Sequence, residues 1–121
     1  MNAFRSLLFA LVALAPTLSV IRAQSVSGSV VDAVTEQPIP FASIAVYSMR
    51  DSSVVGGELA RPDGTFNIRN LGRGRFWCAV SFIGYATWIS EPFGFGPDPS
   101  ARKSLGTITL TPSVEALDEA E

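Results

Sequence analysis

The feature that most restricts the fold is the chain's punctuation. From Ser25 onward, short β-rich runs alternate with turn residues, the pattern of a sandwich or barrel rather than of helices. Seven such runs are legible. Ser25 to Asp32 is the first, and Thr35-Glu36-Gln37-Pro38 turns out of it. Phe41 to Tyr47 follows, and the two-residue period of a strand sends Ala42, Ile44 and Val46 inward. Ser53 to Leu59 carries Gly56 and Gly57 in its interior, which marks an edge, a bulge or a bend. Pro62-Asp63-Gly64 predicts a tight reversal, since proline presets its φ and glycine takes the positive φ that closes the turn. Thr65 to Ile68 is the fourth run.

Asn70 to Gly74 turns the chain again, and Arg75 to Phe82 then sets Phe76, Cys78, Val80 and Phe82 against Arg75, Trp77, Ala79 and Ser81. The Phe76 set is expected in the core and Trp77 on the solvent side. Gly84 ends the run, Tyr85 to Ser90 predicts a sixth strand, and the Gly/Pro-rich stretch from Pro92 to Pro99 predicts a long loop. Ser104 to Leu110 completes the set, with Ile108 and Leu110 inward. The expected fold class is therefore all-β, a seven-stranded sandwich.

Ahead of this domain, Arg5 gives a short positive region, and Ser6 to Ala15 runs almost entirely apolar until Pro16 breaks it. That is the anatomy of a signal peptide over residues 1–23, with the cut expected after Ala23. The run is shorter than the roughly 20 apolar residues of a spanning helix. No cysteine follows it to carry a lipid, which argues against a lipoprotein. Removing Arg5 and Arg22 with the leader leaves seven basic against 11 acidic residues, so the charge moves from −2 to −4 and nucleic acid is not an expected partner. The remaining 98 residues suit one small domain, 24–111, followed by an acidic tail or linker over 112–121.

Cys78 is the only cysteine, so no intramolecular disulfide forms, and it reads as a small buried hydrophobe. The chain has no histidine, which removes the commonest general base and the commonest zinc ligand together. Asp32, Glu36, Asp51, Glu58 and Asp63 fall at strand ends or turns, where carboxylates cap turns. No catalytic residue, cofactor or metal site is expected.

The order of these features resembles the carboxypeptidase regulatory-like domain, a transthyretin-like sandwich. The resemblance is carried by Gly28 to Asp32 with Thr35 and Pro38, by Ala42-Ser43-Ile44, and by Asp63-Gly64-Thr65-Phe66. It continues through Leu71, Gly74 and Phe76 to Val80-Ser81-Phe82-Ile83-Gly84-Tyr85 and Leu105 to Leu110. It implies a Greek-key, prealbumin-like topology. The Ser-Phe-Ile-Gly-Tyr run and the closing Leu-Gly-Thr-Ile-Thr-Leu are most similar to domains at the N-terminus of TonB-dependent receptors and related outer-membrane barrels of Bacteroidetes-type bacteria. In those proteins a Leu-x-Glu segment leads on to the plug or barrel, and Leu117-Asp118-Glu119-Ala120 stands at that place. The chain stops at Glu121, so it is expected to be a stand-alone relative or a fragment. Some related surface domains carry a Lys-Asn crosslink, but the single lysine, Lys103, is in the last loop, and that bond is not expected.

The resemblance and the missing catalytic groups together point to an interaction or spacer module, exported to the periplasm or outer membrane. The expected partner is an envelope protein or the chain's own missing C-terminal barrel. Candidate contacts are Phe41, Trp77, Tyr85 and Trp88, with the aromatic loop Phe93-Gly94-Phe95. The alternative is carbohydrate binding on a platform of Trp77, Tyr85 and Trp88, which requires those rings to share one face.

Overall fold

A computed structural model describes residues 24–113. The expected leader, its cut after Ala23, and the acidic segment beyond residue 113 lie outside the described residues. Among the described residues eight strands form: β1 (Ser25–Asp32), β2 (Ser43–Ser48), β3 (Val54–Leu59), β4 (Thr65–Ile68), β5 (Gly74–Ser81), β6 (Trp88–Ile89), β7 (Phe93–Phe95) and β8 (Arg102–Leu110). They make two sheets. One is three-stranded, ordered β4-β1-β8, and the other runs β3-β2-β5-β6, with β7 also paired to β5. The pairing of β1 with β8 is parallel and that of β1 with β4 antiparallel.

Apolar residues at every second position explain how the sheets meet. Val26 and Val30 of β1, Ile44 and Val46 of β2, Phe66 and Ile68 of β4, Phe76, Cys78 and Val80 of β5, and Ile108 and Leu110 of β8 are all buried and form one core. Burial of side chains this size stabilises by roughly 1.5–3 kcal/mol each, which is what holds the two sheets face to face. The inward set expected in the second run is correct throughout, with Ala42 joining Ile44 and Val46. Gly56 and Gly57 left an edge, a bulge or a bend open; strand β3 is an edge, and its register against β2 shifts between Val46 and Tyr47.

The reversal at Arg61-Pro62-Asp63-Gly64 closes with the Gly64 N–H donating to the Arg61 carbonyl at 2.8 Å, and Gly64 has φ +84°. The Gly64 carbonyl then accepts from the Val30 N–H at 2.8 Å, tying the turn to β1.

Three expectations are corrected. The strand count is eight rather than seven, because the run from Tyr85 to Ser90 yields only the two-residue β6, and the supposed loop from Pro92 to Pro99 contains β7. Both short strands share the free edge of β5, β6 pairing with Ala79 and Val80 and β7 with Gly74 to Phe76. Phe93 and Phe95 are buried at 6% and 7% exposure, their rings packed on Phe76 with centroids 6.0 Å away in each case. The gain from hiding two phenylalanines outweighs the turn preference of the glycines and prolines around them. Phe82, placed inward by alternation, is exposed, since β5 ends at Ser81 and the chain turns there.

Candidate functional site

The outer face of the five-stranded sheet follows from register. Tyr47 lies opposite Trp77, Ala45 opposite Ala79, and Ser43 opposite both Leu59 and Ser81. Because Ile44, Val46, Cys78 and Val80 point inward, these alternate residues point out. Ala79 is paired in turn with Ile89, and Tyr47 with Val54. The result is an apolar stretch of sheet surface, with the Ala45–Ala79–Ile89 row next to the Tyr47–Trp77 row. The Tyr47 and Trp77 rings are stacked, 4.2 Å between centroids and 11° between planes. Val54 beside them and Ile89 one row away are 61% and 56% exposed, and Leu59, two rows away opposite Ser43, is 57% exposed.

The structure separates the six aromatics singled out in the sequence. Trp77 is outward, as expected. Trp88 pairs with Val80 and turns to the inner face, where it packs against the core, so Trp77 and Trp88 lie on opposite sides of the sheet. The platform required for sugar stacking is not assembled. Phe93 and Phe95 are core residues. Phe41 is exposed and holds a φ of +64°, a conformation uncommon for a bulky side chain. Tyr47, which the sequence reading did not single out, is the partner that completes the patch. Its position on the outward parity of β2 was visible, but the register that lays it on Trp77 was not.

Tyr85 has a different role. Its hydroxyl donates to Asp32 Oδ2 at 2.6 Å, while Asp32 Oδ1 accepts from the N–H groups of Val34 and Thr35 at 2.7 and 2.9 Å. The Tyr85 hydroxyl, followed by the two backbone donors, holds the Asp32 carboxyl below its ordinary value, and the same bond pushes the Tyr85 phenol up. This corner also ties down the end of the domain: the Ala86 N–H donates to the Thr111 carbonyl, the Ser113 N–H donates to the Gly84 carbonyl, and Pro112 bridges Tyr85.

Asp51, Asp63 and Asp98 each accept from the backbone N–H and the hydroxyl of a Ser or Thr two residues on, and these bonds lower their carboxyl values. They are turn caps. Cys78 is buried, which pushes its thiol up to about 11, so it stands as a protonated thiol packed in the core at neutral pH. Among the described residues, no group of three or more His, Cys, Asp or Glu could hold a metal ion, and no helix is long and apolar enough to cross a membrane.

The sequence profile of the carboxypeptidase regulatory-like domain matches residues 25–111, from the first residue of β1 to one residue beyond β8. The chain belongs to the carboxypeptidase regulatory-like domain family. Solved structures share this regulatory-like domain's fold at low identity. The backbone protein of group B streptococcus pilus 2b is 14% identical with a TM-score of 0.55, over 80% of this chain and 44% of that one. A variant of the shaft pilin SpaA of Lactobacillus rhamnosus GG is 11% identical with a TM-score of 0.58, over 75% and 48%. A type II cohesin–X–dockerin complex from Acetivibrio cellulolyticus gives 20% identity and a TM-score of 0.52, over 72% and 56%. The regulatory-like domain thus spans about half the length of these chains. A search of curated protein sequences gives no match.

Proposed function

We propose that this regulatory-like domain is an exported, non-catalytic docking module. In this reading the outer face of its five-stranded sheet seats against the plug or barrel of an outer-membrane protein of the TonB-dependent receptor kind. The observation that carries the proposal is the stacked Tyr47–Trp77 pair with Val54 exposed beside it and Ala79 and exposed Ile89 in the next row. An apolar patch that includes exposed aromatic surface on a small domain is what protein interfaces use. The leader-like segment over residues 1–23 supports export, and Ser81 to Tyr85 with Leu105 to Leu110 supports the receptor context. The neighbouring folds belong, by name, to a pilus backbone, a shaft pilin and a cohesin–X–dockerin complex, which fits a sandwich used as a building unit.

Site-specific photocrosslinking in the producing cell tests this. A photoreactive residue at Ala79, inside the patch, is expected to give one dominant adduct with an outer-membrane barrel protein. The same group at Thr109, on the other sheet, is expected to give none. Tyr47→Ala with Trp77→Ala should abolish the adduct. Equal crosslinking from both positions, or an adduct that survives the double substitution, would sink the proposal. N-terminal sequencing of the mature protein tests export separately, with Gln24 expected first.

A further inference from the structure

The second sheet has the opposite character. With Val26 and Val30 of β1 buried, Ser27 and Ser29 face outward, and register places them in rows: Thr65–Ser29–Thr107 and Asn67–Ser27–Ser104. A third row begins with Ser25, which lies opposite Arg102, and Arg69 follows directly on Ile68, the partner of Val26. At the far end, Arg61 Nη1 donates to Thr65 Oγ1 at 3.0 Å. These residues line a groove of about 710 Å³.

Its shape has a local cause. Between Ser27 and Ser29 the register against β8 slips by one residue, and Gly106 in the extra position has φ +68°. A bulge of this kind bends its strand and increases the local twist.

We propose that this groove is a binding site for an acidic polysaccharide, with uronate carboxylates on Arg61, Arg69 and Arg102 and sugar hydroxyls on the Ser, Thr and Asn rows. Charge comes first: among the described residues three arginines line the groove and no carboxylate does, in a chain whose net charge is −2. Asp63, at the Arg61 end, lies near enough to feel that arginine. Guanidinium forks match carboxylates in a bidentate way, and serine, threonine and asparagine both donate to and accept from hydroxyls.

Spacing comes second. Thr65 and Arg69 are four strand residues apart, about 13 Å along the groove. Cations at both ends with hydroxyls between suit a linear chain with recurring charges better than a single phosphate. Third, among the described residues the one aromatic that lines the groove, Phe66, is 2% exposed, and these residues offer no ring for a nucleobase to stack on and no apolar floor for an acyl chain. The sugar reading thus finds physical support on the polar face, independent of the docking patch on the other sheet.

Calorimetric titration of the chain, as the cell processes it, against oligogalacturonate, neutral dextran, inorganic phosphate and a single-stranded oligonucleotide tests the site. Oligogalacturonate is expected to bind, more weakly as salt is raised. Dextran and phosphate should not bind, and the oligonucleotide should bind more weakly than the uronate. Arg69→Gln with Arg102→Gln is expected to lower uronate affinity about tenfold or more, as the loss of charged hydrogen bonds implies.

A charge-matched control is built into the protein. Arg73 and Arg75 line a separate pocket of about 350 Å³ without the hydroxyl rows, and Arg73→Gln with Arg75→Gln should leave affinity within about twofold. Amide shifts in the unsubstituted protein should map to Ser27, Ser29 and Asn67, a readout that needs no variant to fold. Equal loss in the two double variants would overturn the proposal. So would shifts centred elsewhere, dextran binding as well as the uronate, or tighter binding of phosphate or the oligonucleotide.

Discussion

Single residues in this domain are constrained chiefly by what stands next to the backbone. A Cβ at Gly64 would lie 2.7 Å from the Val30 carbonyl oxygen, in a left-handed conformation that costs an L-residue roughly 1–2 kcal/mol by itself. Gly64→Ala is therefore expected to destabilise by about 2 kcal/mol or more, read as a shift in the urea midpoint. Ser90 shows the same economy for a hydrogen bond. Its buried hydroxyl accepts from the Cys78 N–H at 2.8 Å and donates to the Glu91 carbonyl at 2.9 Å, bridging the gap between β6 and β7 on the edge of β5. Ser90→Ala leaves that N–H buried without its partner and should cost about 1–3 kcal/mol. The Asp32–Tyr85 bond makes a pH prediction. A carboxyl held below its ordinary 3.8 in the folded state contributes stability above that value and loses it as pH falls through the lowered one. The raised Tyr85 phenol contributes below its ordinary 10.0 and loses its contribution as pH rises through the higher value. Tyr85→Phe should flatten both limbs of the stability-versus-pH curve. The acid limb will persist in part, since Asp51, Asp63 and Asp98 are lowered by their own turn bonds.

Among the elements, the informative ones are those the sequence misrepresented. Phe93-Gly94-Phe95 is three residues long and flanked by Pro92 and Gly96, yet it pairs with Gly74 to Phe76 and closes that end of the core. Phe95→Ala is expected to cost about 3–5 kcal/mol, whereas Phe41→Ala, at an exposed ring, should change stability by less than about 0.5 kcal/mol. A large effect at Phe41 with little at Phe95 would show that the loop reading was right after all. The Tyr47–Trp77 stack joins β2 to β5, and a double-mutant cycle to alanine should give a coupling of about 0.5–1.5 kcal/mol. Gly56 and Gly57 marked β3 as an edge, a bulge or a bend without choosing among them, and the strand is an edge with a register shift. Register was not legible anywhere, because alternation within one strand says which residues share a face but not which residue of the next strand each one meets.

For the molecule as a whole, the buried thiol of Cys78 is a probe of global opening. At 0% exposure, with its thiol pushed up to about 11, it should react with an alkylating reagent only as fast as the domain opens. Mass spectrometry at increasing urea checks this, and fast labelling of the native protein would contradict the core described above. The molecule presents two unlike faces, one sheet apolar around a stacked aromatic pair and the other lined with hydroxyls and arginines. The sequence alone determined the all-β class, the inward sets of β2 and β8 and that of β5 up to Val80, the turn at Pro62-Asp63-Gly64 and the burial of Cys78. Each of these is local, resting on a two-residue period or on the φ preference of proline and glycine. Only the tertiary structure decided that Trp77 meets Tyr47 while Trp88 turns inward, that Phe93 and Phe95 belong to the core, and that Arg61, Arg69 and Arg102 converge on one groove. Those are pairings between segments distant in the chain. They are settled by which register buries the most apolar surface, a quantity no single segment carries.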